Sequence, residues 1–157
     1  MTYHIDIQHA CQHPSPFDDA MITLWAEATL KSIQESGEIT IRLVDAEEMT
    51  YLNLNYRQQN KPTNVLAFPT NLPPEVAFDC PLLGDVIICP EVLEQESLAL
   101  HASLQAHWAH IVIHGILHLL GYDHIQPEDA KIMEQHEIRL LANFGFENPY
   151  HEEPYFD

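Results

Sequence analysis

Three histidines in the second half of the chain have the spacing of a metal site. His114 and His118 lie four residues apart within an apolar run, and His124 follows Gly121. On an α-helix the first two imidazoles would share one face, one turn apart. Gly121 readily takes the left-handed conformation that ends helices, which would let His124 return toward the pair. Three neutral imidazoles with a fourth position open are typical of a catalytic zinc site. We call His114, His118 and His124 the histidine triad.

The spacing matches the metzincin protease pattern H-E-x-x-H-x-x-G-x-x-H at every position except one. Gly115 stands where those proteases carry the glutamate that acts as general base. The pattern therefore predicts a metal and argues against ordinary peptide hydrolysis. A purely structural metal is the alternative, but structural zinc sites normally have four protein ligands, mostly cysteines. The three cysteines of this chain are scattered and form no C-x-x-C pair.

Several neighbours of the triad are of types that could also take part in the site. His107 and His110 precede it on the same predicted helix, and spacing alone also permits a pair of His110 with His114. The chain reversal after the helix favours the triad, because the returning chain should reach the later histidines more easily. We therefore expect His107 and His110 to lie beside the site or at the surface. Tyr122 and Asp123 either orient metal ligands or only shape the turn.

Length and composition are those of an ordinary globular protein. The chain has 157 residues, of which 46% are hydrophobic, enough for one domain with a core. We expect a single domain over residues 1–157, with a frayed acidic tail at 151–157. No apolar run approaches the roughly 20 residues that span a bilayer, and the first residues lack the features of a signal peptide. Because the cysteines also suggest no disulfide framework, we expect a cytoplasmic location.

The charge balance is strongly acidic. Six Lys and Arg residues against 24 Asp and Glu give a formal net charge of −18. This opposes non-specific binding to nucleic acid, whose affinity comes largely from Lys and Arg contacts to phosphate. Any nucleic-acid function would need a local basic spot together with the metal, or else a partner that supplies the missing charge. Arg57 and Lys61, two of the few cations, lie together in the segment 57–64.

The sequence pattern predicts strands and helices that interleave along the chain. Strands are predicted over 3–9, 38–44, 65–68 and 82–89, and a surface loop over 70–81. Helices are predicted from Ser15 to Gly37, from Asp45 to Arg57, from Pro90 to about Ser97, over 102–120 and from Pro127 to Gly145. Ser15 and Asp45 are the expected caps, and Met49, Leu52 and Tyr56 the expected buried side of the second helix. The fold class is α+β, with about four strands in a mixed sheet, covered by helices around a central histidine helix.

The motifs resemble those of the YbeY endoribonucleases, also called rRNA maturation factors. Residues 114–124 fit the signature H-G-x-L-H-L-x-G-Y-D-H at every defined position. Arg57 with the segment 63–69, T-N-V-L-A-F-P, is similar to a second block, although Ala67 stands where the family often has a small hydroxyl residue. The segments 83–87 and 145–150 are similar to further family blocks, so the resemblance covers most of the chain from about residue 38.

The resemblance implies a single-strand-specific, metal-dependent endoribonuclease acting in ribosomal RNA maturation, notably at the small-subunit 3′ end, and in ribosome quality control. It implies one zinc ion per chain, bound by His114, His118 and His124. Arg57, His114 and His118 would be catalytic, and Arg57 and Lys61 would bind the substrate. The expected partners are single-stranded rRNA and the ribosome or its small subunit, with no membrane. Because the chain is so acidic, we also expect a basic ribosome-associated protein partner.

Two other functions are compatible with the residues alone. The first is a zinc hydrolase of another class, a peptidase or amidase, which would need a carboxylate near the metal. Asp85 and Glu128 are the candidates for that carboxylate. The second is a non-catalytic ribosome assembly factor with a structural metal. It predicts that metal loss unfolds the protein and leaves Arg57 without a role.

Overall fold

A four-stranded mixed sheet lies at the centre of the fold. Its strands are β1 (Tyr3–Ala10), β2 (Gly37–Val44), β3 (Val65–Pro69) and β4 (Leu82–Ile88). The spatial order is β1-β2-β4-β3, in which β1, β2 and β4 run parallel and β3 is antiparallel to β4. The computed structural model describes residues 2–70 and 80–150. Most of the predicted loop over 70–81 and all of the predicted tail lie outside these ranges.

Within residues 2–70 and 80–150, five helices accompany the sheet. They are α1 (Asp19–Ile33), α2 (Ala46–Arg57), α3 (Pro90–Leu100), α4 (Leu104–Leu119) and α5 (Pro127–Asn143). This arrangement confirms the predicted α+β class and the four-stranded mixed sheet covered by helices. Within the described ranges, no helix combines the length and the apolar character that crossing a membrane would require.

The helix α4 is central because it packs against both the sheet and other helices. Most of its 16 residues are buried, including Trp108, Ile113 and Ile116. Gly115 sets how closely α4 approaches the sheet, since a Cβ there would lie 2.8 Å from side-chain carbons of both Val65 and Val86. A contact that short would force the packed neighbours to move. The protease glutamate therefore has no room at this position of the fold.

The first helix begins later than the sequence predicted. The carboxylate of Asp18 caps α1 by accepting a hydrogen bond from the Met21 amide at 3.0 Å. The predicted cap, Ser15, instead donates from its hydroxyl to the Phe17 carbonyl at 2.8 Å. Gly37 does not end the helix but begins β2. Ser15 and Asp18 both have a side-chain oxygen that can accept from a free helix amide, and the predicted cap is wrong because Asp18 takes this role.

The start of α2 is held by contacts distant in sequence, where the sequence predicted a local capping box. Asp45 is the N-cap residue, but its side chain makes no cap hydrogen bond. Its carboxylate accepts instead from the amides of Gln12 at 3.0 Å and His13 at 3.3 Å. The amide of Ala46 donates to the Glu91 carboxylate at 2.9 Å. These bonds satisfy backbone donors and tie the end of β1 and the start of α3 to α2.

Candidate active site

The structure brings the three histidines of the triad together. The ring centroids of His114 and His124 lie 5.4 Å apart, those of His118 and His124 6.1 Å, and those of His114 and His118 6.5 Å. The helix α4 ends between them, and Gly121 has a φ of 105°. Its amide donates to the His118 carbonyl at 3.1 Å. This left-handed glycine reverses the chain and returns His124 to the helix end, as its position predicted.

Two of these rings are oriented through their Nδ1 atoms. The His118 Nδ1–H donates to the Tyr122 carbonyl at 3.0 Å, and the His114 Nδ1–H donates to Glu137 Oε2 at 2.6 Å. A carbonyl and an ionised carboxylate can only accept, so each Nδ1 carries the proton. In the neutral rings Nε2 then keeps its lone pair. Metal-binding histidines have this arrangement, with one nitrogen on an oxygen acceptor and the other free for the ion.

Glu137 is the most buried ionisable group near the triad, with no exposed surface. Besides His114, it accepts hydrogen bonds from His110 Nε2 at 3.1 Å and from the Tyr150 hydroxyl. Burial alone would raise the pKa of Glu137, but the hydrogen bonds that it accepts from His110 and His114 outweigh burial and lower the pKa to about 2. The carboxylate is therefore ionised at neutral pH.

Sequence reasoning missed Glu137, although one signal was present. The residue falls four after Met133 and three before Leu140, on the apolar face of α5, and both of these neighbours are buried. A carboxylate at such a position must have partners, because an unpaired buried charge is very costly. The sequence does not say which residues those partners are.

A second set of potential metal ligands overlaps the triad. Among the described residues, His110, His114 and Glu137 offer ligand atoms that all lie within 4.8 Å of one another. This group could hold a metal ion, and it shares His114 with the triad. His110 thus lies beside the triad, as expected. His107 is buried near the start of α4, where its Nε2 donates to Glu96 Oε1 at 2.8 Å.

Arg57 faces the same space as the triad. It is the last residue of α2, and it lines a cleft of about 690 Å³ together with all three histidines. Residues from α2, from the segment leading into β3, from β3 itself and from the histidine motif complete the wall. The full lining consists of Tyr56, Arg57, Thr63, Asn64, Val65, Leu66, Ala67, Phe68, His114, Gly115, His118, His124 and Ile125. Of the residues that the structure describes, no Asp or Glu lines the cleft.

The remaining predicted site residues lie elsewhere. Lys61 is exposed and does not line the cleft, and its carbonyl accepts from Asn53 Nδ2 at 2.8 Å. Asp85 and Glu128, the candidate bases of a peptidase or amidase, are also exposed and outside the cleft lining. The structure therefore places Arg57 in the same cleft as the triad, whereas the other predicted residues, Lys61, Asp85 and Glu128, lie outside it.

The two residues before His124 support the site in different ways. Tyr122 contributes its backbone carbonyl to His118, while its ring packs edge-on against His136 at a centroid distance of 4.9 Å. The Asp123 carboxylate accepts from the Ile125 amide at 3.2 Å and so shapes the turn. Tyr122 thus orients a ring of the triad through its main chain, and Asp123 stabilises the loop.

Comparison with known proteins places the chain in a family. The family model described as Endoribonuclease YbeY matches residues 8–145. Proteins named Endoribonuclease YbeY from Legionella pneumophila strains Corby, Lens and Paris are 57% identical over 150 residues, covering 96% of this chain and 95% of theirs. The solution structure of TM1509 from Thermotoga maritima has a TM-score of 0.56 at 25% identity, covering 96% of this chain and 98% of that one. These matches confirm the resemblance seen in the motifs, and the chain belongs to the YbeY endoribonuclease family.

Proposed function

We propose that this protein is a zinc-dependent endoribonuclease that cuts single-stranded RNA during ribosomal RNA maturation, at the small-subunit 3′ end, and in ribosome quality control. The observation that carries the proposal is the cleft in which Arg57 meets the triad. Family membership supports the endoribonuclease activity, and the cleft supports a phosphate-containing substrate.

The charge of the cleft favours an anionic substrate. The chain as a whole has a formal net charge of −18, yet the cleft lining contains Arg57 and three imidazoles and, within the described residues, no carboxylate. An anion would therefore meet a more favourable local field here than the net charge of the chain suggests. The planar guanidinium of Arg57 matches a phosphate with two parallel hydrogen bonds and stabilises charge that grows on the phosphoryl oxygens.

The donor chemistry of the triad fits a zinc ion. His114, His118 and His124 would hold one ion per chain, and the first two present their Nε2 atoms because Nδ1 is already engaged. When bound, the ion would supply Lewis-acid stabilisation of the reacting phosphodiester. Arg57 then holds the phosphate, Glu137 and the Tyr122 carbonyl fix the two rings, and the cleft walls position the strand.

We assign the ion to the triad in preference to the group of His110, His114 and Glu137. The Glu137 carboxylate already accepts from His110, His114 and Tyr150. An ion on Glu137 would have to displace these bonds from a buried charge, which is costly. His118 and His124 are exposed and line the cleft where a substrate can enter.

The other functions considered lack a corresponding feature. A peptidase or amidase would need a carboxylate base in the cleft, and Gly115 cannot carry one because its Cβ position meets Val65 and Val86. A structural metal gives no reason for Arg57 to share the cleft. Lys61, exposed four residues after Arg57, is proposed to contact RNA beyond the cleft. Binding to the small ribosomal subunit, a basic protein partner and a cytoplasmic location stay predictions.

The test is cleavage of a single-stranded rRNA fragment by the purified protein, with zinc content measured on the same samples. We expect wild type to cut, His118→Ala to lose both zinc and cutting, and Arg57→Ala to keep zinc and lose cutting. If zinc-loaded wild type cuts no better than His118→Ala, the proposed nuclease activity of the isolated protein is wrong.

A further inference from the structure

One aromatic side chain in the cleft has no part in the chemistry proposed above. Tyr56 directly precedes Arg57 and lines the cleft, and 63% of it is exposed. The sequence predicted that Tyr56 belongs to the buried side of α2, and this is wrong. Its ring rests edge-on against Phe68 of β3, at a centroid distance of 4.8 Å and an interplanar angle of 62°. The ring is therefore held in place by one neighbour and remains open to solvent.

We propose that Tyr56 is a stacking platform for a nucleobase of single-stranded RNA, next to the phosphate that Arg57 holds. The inference rests on the proposed function and adds a base-binding subsite to it. Aromatic side chains bind single-stranded nucleic acid in this way, since every base has a flat face that can stack on a ring. A base inside a duplex is already stacked on its neighbours, so the subsite would select unpaired strands.

The acidic charge of the protein favours a contact that does not depend on charge. Proteins that bind nucleic acid through phosphates alone use many Lys and Arg side chains. In this cleft the described lining offers one permanent cation, Arg57, in a chain with 24 Asp and Glu. Stacking on an aromatic ring needs no cation on the protein and adds to the affinity for single strands base by base. Tyr56 provides such a stacking contact directly beside Arg57, in the same cleft.

The residue that follows the histidine triad in sequence gives the cleft a second exposed apolar side chain. Ile125 follows His124, lines the same cleft, and is 81% exposed. A large apolar side chain that is so open to water suits contact with the face of a base. The cleft thus combines apolar contacts from Tyr56 and Ile125 with the charge of Arg57.

Tyr51 provides a matched control for Tyr56. Both tyrosines lie on α2 and their exposures are similar, 66% for Tyr51 and 63% for Tyr56, but Tyr51 does not line the cleft. If the exposed face of α2 served a protein partner, the two residues would behave alike toward RNA. Under the stacking proposal only Tyr56 affects RNA binding.

The experiment measures the binding of zinc-loaded protein to a short single-stranded 2′-O-methyl oligoribonucleotide that carries 2-aminopurine, with strand integrity checked on a gel. We expect Tyr56→Ala to weaken binding by roughly fivefold to a hundredfold and to abolish quenching of the 2-aminopurine fluorescence. Tyr56→Trp should keep both, and Tyr51→Ala should behave as wild type. The slope of log affinity against log salt should stay unchanged in Tyr56→Ala and fall in Arg57→Ala.

Three results would overturn the inference. They are wild-type affinity for Tyr56→Ala, equal losses for Tyr56→Ala and Tyr51→Ala, or equal binding of an abasic strand by the wild-type protein. Any of them, combined with cleavage by wild type that depends on His118 and Arg57, would leave the proposed function standing. If zinc-loaded wild type neither binds nor cuts single-stranded RNA, the stacking proposal and the proposed function both fail.

Discussion

The Nδ1 of His114 lies 2.6 Å from Oε2 of Glu137, a carboxylate with no exposed surface. This bond joins α4 to α5 at the point where the triad begins. Because the carboxylate is ionised and accepts only, it fixes the proton of His114 on Nδ1 and directs Nε2 toward the cleft. His110 and Tyr150 hold the other carboxylate oxygen, so the acceptor itself is rigid.

We expect Glu137→Gln to weaken zinc binding by about tenfold to a hundredfold, because a neutral amide makes His114 a poorer ligand. Competition with a chromophoric chelator measures the affinity, and the visible spectrum of the cobalt-substituted protein reports the geometry of the site. The matched control is Glu128→Gln, an exposed acid in the first turn of the same helix. Wild-type zinc affinity in a folded Glu137→Gln protein would contradict the positioning role.

The triad and the group of His110, His114 and Glu137 are two overlapping sets of possible metal ligands. They predict opposite effects on zinc binding when His118 or His110 is replaced by alanine. If the triad holds the ion, His118→Ala should lose zinc, while His110→Ala should still bind one zinc per chain. His110 should then matter only through its hydrogen bond to Glu137. Metal analysis after dialysis against dilute zinc measures both. The reverse pattern would assign the ion to His110, His114 and Glu137, whose ligand atoms lie within 4.8 Å of one another.

Much of the fold could be predicted because its signals are local. Alternating residues indicated β1, short apolar runs ended by proline indicated β3 and β4, and the spacing of His114 and His118 placed both on one face of a helix. The glycine at 121 predicted the return of His124, and the structure has the corresponding left-handed turn. The family could be predicted from the same eleven-residue motif, since a specific spacing of histidines and glycines is hard to produce by chance.

The parts that could not be predicted depend on packing between distant segments. Asp45 has the position of a local cap, but its carboxylate accepts from the amides of Gln12 and His13, which come near it only in the folded chain. Glu137 looks like one more acid on an acidic helix until α5 packs on α4. Tyr56 has the spacing of a buried residue, yet it lies at the cleft edge and is open to solvent. In each case the side chain's neighbours, and not its type, determine its role.

A methyl group at Gly115 should destabilise the protein while leaving every proposed metal ligand in the chain. The added Cβ would lie 2.8 Å from carbons of Val65 and Val86, so we expect Gly115→Ala to lower the free energy of unfolding by about 1–3 kcal/mol. Urea unfolding measures this change. In the double variant Gly115→Ala/Val65→Ala, the smaller side chain at position 65 should relieve part of the clash. The loss in the free energy of unfolding should then be smaller than the sum of the two single losses. Additive losses would mean that α4 has shifted away from the sheet.

The pair of Glu96 and His107 should make stability depend on pH in a predictable direction. Burial alone would raise the pKa of Glu96, but hydrogen bonds from His107 and Asn64 and the charge of His107 outweigh it and lower the pKa below its usual range. A depressed pKa in the folded state stabilises the protein above the unfolded pKa of roughly 4.3. That contribution is lost as the pH falls through the lower, folded value.

We therefore expect Glu96→Gln to be less stable than wild type by about 1 kcal/mol at neutral pH, with a difference that shrinks steadily below pH of about 4. Urea unfolding of both proteins across this pH range measures the difference. Glu94→Gln is the matched control on α3, because Glu94 makes an exposed contact with His13 at 3.3 Å and should contribute little at any pH. A difference for Glu96→Gln that stays constant as the pH falls would mean that its charge does not stabilise the fold. The carboxylate would then act only by its shape and by hydrogen bonds that the amide can also make.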